Sequence, residues 1–361
     1  MSRTTYAAAG VDINAAESAK KRIARLARAT FNQNVLAEVG GFGALYALPA
    51  GYRNPVLVSS LDGVGTKLKL AFATGQHASV ARDLVHHCVN DILVQGARPL
   101  FFLDYLAMGA MDAAVAAEVV SGLAGACQAS GCALIGGETA AMPGFYPAGE
   151  YDLAGCMVGL VERRRLLPSP RIQPGDRILG LVSNGLHTNG YSLARKVLLD
   201  EAHLPLHQMV EDLGQTLEAA LLAEHRSYLP ALAPWVLDLK PAGRGSRRGG
   251  VQPRPGVIKA LAHITGGGIP GNLPRVLPEN CGARIDPHAW PEPALFRLIA
   301  RLGGVPRAEM RRTFNMGLGM LLVASPAHAI QLRRYFQERE EACYEVGEII
   351  AGQRRVSFGP A

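Results

Sequence analysis

Short apolar, β-branched runs alternate with helical stretches along this chain, and two of the runs end on a carboxylate flanked by glycine. The run at 55–60 leads into Leu61-Asp62-Gly63-Val64-Gly65-Thr66-Lys67, and the run at 132–135 into Gly136-Gly137-Glu138-Thr139. Such alternation predicts sheets with helices packed against them, an α/β or α+β protein. Further strands are predicted at 100–107 and 153–161, and helices at 14–30 and 80–95. Asp112 is an expected N-cap for an Ala-rich helix that stops before Gly131. The second half repeats the pattern. It has a strand at 177–182, a loop at 184–189 and a helix at 190–199. Strands near 283–286, 318–324 and 344–350 then alternate with helices at 293–302 and 326–337.

Three prolines at 167–175 mark a linker. At 361 residues the chain exceeds one ordinary core, so two domains are expected, 1–168 and 175–361. The formal net charge is +7, and the tract 241–256 carries Arg244, Arg247, Arg248 and Arg254 with no acid. Without those four it falls to +3. The tract cannot bury a core and is expected to be an exposed, flexible insertion. No stretch interleaves aromatics with basic residues as single-strand binders do, so no nucleic-acid partner is expected. A non-catalytic RNA-binding module using the Arg/Gly tract is the reading from a different class.

The six cysteines form no CxxC pair and no zinc spacing with histidine, so reduced thiols and a cytoplasmic location are expected. The first ten residues lack the apolar segment of a signal peptide, and no uninterrupted apolar run suits a membrane span. No GxSxG elbow or Walker A loop is present, so covalent acyl chemistry and a P-loop ATP site are both unsupported.

The candidate chemistry lies in glycine-lined loops. Asp62, Asp91 and Glu138 are hard oxygen donors of the kind magnesium takes together with waters and phosphates. Gly40, Gly41 and Gly43 allow close backbone approach to phosphate, and Lys67 could balance its charge. In the second half, His187 and Asn189 lie between a strand and a helix, where backbone N–H groups attract anions. His263 precedes Thr265 and the run Gly266-Gly267-Gly268.

These blocks, in this order, resemble the phosphoribosylformylglycinamidine cyclo-ligase (AIR synthetase) family. The resemblance runs from Tyr6 and Ala9-Gly10-Val11-Asp12-Ile13 through 40–45, 62–68, 88–105, 131–144, 185–196, 263–268 and 313–320. Asp91, Gly96, Ala97 and Pro99 look like the signature shared across that superfamily of ATP-binding enzymes. The resemblance implies ATP-dependent ring closure of formylglycinamidine ribonucleotide, in purine biosynthesis, with ATP and Mg2+ required. It implies two domains, with an N-terminal sheet that forms a barrel across a homodimer, a C-terminal mixed sheet with helices, and a cleft between the domains. By the same token Asp62, Asp91 and Glu138 would serve metal and ATP phosphates, with Gly40, Gly41, Gly43, Lys67 and Gly96 around the nucleotide. Glu138, Thr139, His187, Asn189 and Gly266 to Gly268 would meet the substrate, and Asp62, Asp91 and His187 would carry catalysis.

The chain departs from the family pattern at Phe31-Asn32-Gln33-Asn34-Val35, where a basic, proline-containing stretch is usual, and at Glu224-His225, where Pro-Thr is usual. Among sister enzymes, thiamine-phosphate kinase is the nearest alternative. A selenophosphate synthetase would carry an N-terminal cysteine, whereas the first here is Cys88. A hydrogenase-maturation relative would end in cysteine, whereas this chain ends on Ala361.

Overall fold

The computed structural model describes residues 13–237 and 252–359. They group into two compact units: one comprises residues up to Val89 together with Pro99–Leu160, the other Asn90–Arg98 together with Val161 onward.

The first unit contains α1 (Ile13–Arg28), β1 (Pro55–Gly63), α2 (Leu68–Thr74), most of α3 (His77–Leu93), β2 (Arg98–Met108), α4 (Ala113–Ala129), β3 (Ala133–Ala141) and β4 (Tyr151–Glu162). Its four strands lie in the order β1-β4-β2-β3. β2 and β3 run parallel, with Phe101 opposite Ala133 and Met108 opposite Ala141. α4 packs against β3 and α1. On α3, Val80, Ala81, Leu84, Val85 and Cys88 are fully buried, the stripe that helical spacing produces. Asp112 caps α4 as expected, its carboxylate accepting from the N–H groups of Ala114 at 2.8 Å and Val115 at 3.1 Å.

Three expectations need correction here. Gly136-Gly137-Glu138-Thr139 was expected to follow its strand as a loop, but it lies within β3, pairing with β2 as far as Thr139 opposite Leu106 and beyond. The long partner strand holds the extended backbone across the glycines. Gly137 is required there, because a Cβ would come within 2.4 Å of Asp104 Oδ1. Likewise β1 continues through Asp62 to Gly63 instead of ending at Ser60. α3 starts at His77, earlier than the predicted 80, because Glu118 of α4 accepts from the N–H groups of His77 at 2.9 Å and Ala78 at 3.1 Å. That carboxylate satisfies donors which the first turn of a helix leaves open.

The second unit holds β5 (Arg177–Val182), α5 (Tyr191–Arg195), a short hairpin of β6 (Met209–Val210) and β7 (Gln215–Thr216), α6 (Leu217–Leu221) and α7 (Leu229–Val236). It continues with β8 (Ile258–His263), α8 (Gly268–Asn272), β9 (Cys281–Ile285), α9 (Ala294–Leu302), α10 (Arg307–Thr313), β10 (Leu318–Ala324), α11 (Pro326–Gln337), β11 (Cys343–Ala351) and β12 (Val356–Phe358). A six-stranded sheet runs β12-β9-β11-β5-β10-β8. β10 is antiparallel to β5 and β8, β11 is antiparallel to β5 and β9, and β12 is parallel to β9, so the sheet is mixed. β8 and β10 are buried along their whole length, and α11 packs on β11, β5 and β10. Lys259 tolerates its place in β8 because its ammonium meets both oxygens of Asp176, at 2.7 and 2.8 Å, and the Arg171 carbonyl. α5 passes into a π-helical turn, Lys196–Glu201.

Most of the 241–256 tract, and Tyr6 with residues 9–12, lie outside the described residues. No described helix is long and apolar enough to cross a membrane.

Candidate active site

In the first unit, Asp62 sits near the end of β1, where it accepts from the Gly63 N–H at 2.7 Å and lies 2.8 Å from His87 Nε2 of α3. The carboxylate stays partly exposed while the histidine is buried. Glu138 stands exposed on β3, opposite Tyr105. Next to it on β2 is Asp104, a residue that sequence reasoning passed over. Burial first, and the charge of Glu138 to a lesser degree, push the Asp104 carboxyl up to about 7, against a backbone hydrogen bond that lowers it. Thr139 follows Glu138 in the strand and is half-buried. Gly40, Gly41 and Gly43 form an exposed turn, with open space around Gly40 and Gly43 where a side chain would stand.

Lys67 is the exception among the expected phosphate-binding groups. It is fully buried, and its Nζ lies 2.6 Å from the equally buried Asp83 Oδ2. Its charge is committed to that carboxylate instead of being presented to solvent.

In the second unit a chain of polar groups runs through the interior. Asp91 Oδ1 lies 2.8 Å from His263 Nδ1, and His263 Nε2 lies 3.1 Å from His225 Nε2. His225 Nδ1 in turn lies 3.3 Å from Thr188 Oγ1. A carboxylate can only accept, so Asp91 places a proton on His263 Nδ1 and fixes that ring's orientation. Asn90 braces the chain. Its amide nitrogen donates to the Arg226 carbonyl at 2.8 Å and lies 3.2 Å from His225 Nε2, while its oxygen accepts from the Tyr228 N–H at 2.9 Å. The His187 ring stacks on His225 with centroids 4.1 Å apart. His187, His225 and His263 bring ligand nitrogens within 4.8 Å of one another. His225 and Asn90 were not singled out as site residues. A lone histidine after Glu224 carries no local pattern, and its meaning comes only from neighbours distant in sequence.

Backbone shape holds this cluster in place. His187 adopts a left-handed conformation, φ 63°, which costs a side-chain-bearing residue energy and tends to be kept at functional loops. Beneath it, a Cβ on Gly319 would approach His187 Cε1 to 2.5 Å and Tyr228 Oη to 2.1 Å. The glycine run is equally constrained. A Cβ on Gly268 would lie 2.0 Å from the Arg311 carbonyl, and one on Gly266 would lie 3.0 Å from Asn189 Oδ1. Gly267 takes φ 95°. Asn272 ties the loop together, donating to the carbonyls of Thr265, Gly266 and Gly268 at 3.3, 3.2 and 2.8 Å. Asn189 Nδ2 is buried beside this loop and has no acceptor among the described residues. Gly96 closes the turn after α3 at φ 81°, where a Cβ would lie 2.9 Å from the Arg165 carbonyl.

The structure therefore gathers His187, Asn189, His263, Asp91 and Gly266 to Gly268 in the second unit; in the first, Glu138 and Thr139 share β3, while Asp62 stands apart from them on β1, at the other edge of the four-stranded sheet. Both halves of the chain have counterparts among known proteins. Residues 44–161 match the AIR synthase related protein N-terminal domain, and residues 248–359 match the corresponding C-terminal domain. The crystal structure of thiamine-monophosphate kinase from Stenotrophomonas maltophilia K279a has a TM-score of 0.66 to this chain. It covers 93% of this chain and 95% of that one at 19% identity, a likeness of fold alone. Sequence similarity reaches much further elsewhere. The phosphoribosylformylglycinamidine cyclo-ligase of Sorangium cellulosum (strain So ce56) is 50% identical over 98% of this chain and 99% of that protein. The enzyme of the same name from Myxococcus xanthus (strain DK1622) is 50% identical over 97% of each. With half the residues shared along nearly the full length of such enzymes, and both family domains present, the chain belongs to the phosphoribosylformylglycinamidine cyclo-ligase family.

Proposed function

We propose that the protein closes the imidazole ring of formylglycinamidine ribonucleotide at the expense of ATP, yielding aminoimidazole ribonucleotide, ADP and phosphate, a step of purine biosynthesis. The γ-phosphoryl group of ATP passes to the formyl amide oxygen, which releases ADP and leaves an iminophosphate. An internal nitrogen of the substrate then attacks that carbon, and the carbon–oxygen bond breaks as phosphate departs. Such chemistry needs positioning and charge neutralisation more than a protein nucleophile, in keeping with a chain that has no nucleophile elbow.

The observation that carries this reading is the buried Asn189 amide, which has no acceptor among the described residues and stands in the same loop as the strained His187, against Gly266. A polar group kept in that state awaits a ligand acceptor. His187 and Asn189 would hold the phosphate or formyl end of the substrate, with Gly266, Gly267 and Gly268 forming a wall that only backbone can line. Glu138 and Thr139 would meet the substrate from β3. Asp62, Asp91 and Glu138 would serve Mg2+ and the ATP phosphates. They are partly or fully exposed carboxylates, hard oxygen donors of the kind magnesium takes while it keeps several waters. When bound, the metal would neutralise charge on the phosphates. Asp91 also orients His263. Gly40, Gly41 and Gly43 would lie along the nucleotide, and Lys67 would shape the adjoining turn from below through Asp83.

Purified protein given formylglycinamidine ribonucleotide, ATP and Mg2+ should form ADP and aminoimidazole ribonucleotide in equal amounts, and the absence of both would overturn the reading. Asp91→Asn should reduce turnover about 100-fold or more, a loss of about 3 kcal/mol. Full ATP-dependent turnover by that variant would remove Asp91 from the site.

The working form would be a homodimer in which the first-unit sheets of two copies join in a barrel. In support, β1 exposes Leu57 and Leu61 on one face, and Leu45 and Leu48 are exposed just before it. Leu57→Glu with Leu61→Glu should give a monomer in analytical ultracentrifugation. A dimer that survives both charges would exclude this face.

A further inference from the structure

A second feature of the second unit stands apart from these loops. Three arginines, Arg164, Arg165 and Arg171, line one cavity of about 450 Å³ together with Ser169, Trp235 and Gly256. No carboxylate lines it among the described residues. Arg171 is held in place by neutral oxygens: its Nε donates to Ser169 Oγ at 3.2 Å and its Nη2 to the Gly256 carbonyl at 3.1 Å. Arg164 is exposed. Neither arginine forms an ion pair among the described residues. The nearby Lys259 does not share this surplus, because its charge is matched by Asp176.

Trp235 completes the wall of the cavity. Trp235 is 1% exposed, yet its indole Nε1 has no acceptor among the described residues. A guanidinium held in place, as that of Arg171 is, suits the paired oxygens of a phosphate better than it suits a halide. The volume falls within the range of pockets that hold one small molecule.

We propose that this cavity is an anion site separate from the ring-closing loops, and that it takes the phosphate of a mononucleotide-sized phosphomonoester. The shared chemistry is the phosphate, and a nucleotide or a bare sugar phosphate would each supply it. Binding there would leave Asp91, His187 and Asn189 untouched.

The test uses the full chain and AMP as probe, with a non-hydrolysable ATP analogue and Mg2+ present throughout to occupy the nucleotide site. The chain has two tryptophans, so Trp290→Phe leaves Trp235 as the reporter. AMP should change the Trp235 emission saturably. Arg164→Gln with Arg171→Gln should weaken binding at least 10-fold and leave ring-closing turnover unchanged. Because Arg164 is exposed, Arg164→Gln alone keeps the test valid should the double variant fold poorly, and it should weaken binding measurably. Ribose 5-phosphate matching AMP would mark the phosphate as the whole determinant, and AMP alone binding would mark a nucleotide site; both outcomes support the proposal. It is overturned if millimolar AMP leaves the emission unchanged, if the arginine variants bind as wild type does, or if a short RNA binds these arginines more tightly than either probe.

Discussion

Lys67→Met should destabilise the first unit by about 3–5 kcal/mol, seen as a lower urea midpoint, because it removes the cation paired with a buried carboxylate. Lys67 Nζ and Asp83 Oδ2 are 2.6 Å apart with both side chains fully out of water. Leu68, Leu70, Val80 and Leu84, their chain neighbours, are buried too, so no solvent reaches in to replace the lost partner. The reverse variant, Asp83→Leu, should be similarly costly, since it leaves an ammonium in the same place. Combining Lys67→Met with Asp83→Leu should recover much of the loss, as pairs replaced together by apolar groups commonly do. The prediction separates a structural lysine from one that serves phosphate. If Lys67→Met kept its stability and lost only ATP affinity, the pairing with Asp83 would be refuted.

The second large effect is expected on catalysis. Gly319→Ala should reduce kcat/KM about 100-fold with the secondary structure intact. The added methyl meets His187 Cε1 at 2.5 Å and Tyr228 Oη at 2.1 Å, distances at which something must move. Tyr228 is the less able to yield. It is fully buried, with its hydroxyl donating to the Val182 carbonyl at 2.8 Å, and burial raises its pKa well above the ordinary tyrosine value. His187 must therefore retreat, and its stacking on His225 goes with it. Overpacking of this kind costs about 1–3 kcal/mol of stability, so the protein should remain folded at room temperature. Gly125→Ala, on α4 where no atom lies within 4 Å of the added carbon, should leave turnover unchanged. Equal losses in both variants would show that His187 position has no bearing on rate.

Local pattern sufficed where an element depends on its own residues. Strand 177–182, strand 318–324 and helix 326–337 lie where alternation and capping put them, and Asp112 caps its helix. It failed where a partner distant in sequence decides. β3 runs on through two glycines because β2 lies beside it, and α3 begins at His77 because Glu118 comes from another helix. The site divides in the same way. The glycine loops at 184–190 and 265–268 were visible as such, and so were Asp91, His187, Asn189 and His263. The side chains that connect them were not, because Asn90, His225 and Asp104 have ordinary neighbours in sequence and acquire their roles only through contacts with other strands and helices. Lys67 shows the converse: a lysine after glycines reads as phosphate-facing until its buried partner, sixteen positions along, comes into view.

Asn272 has a bearing on redesign. One amide, buried in α8, fastens three carbonyls of the glycine loop. The frame of the loop and the groups it offers are thus set by different residues. An engineer seeking a new specificity could exchange Asn189 or Thr188 while the loop kept its form, provided Asn272 stayed. A library that varied Asn272 as well would lose the frame first, and its failures would say nothing about recognition.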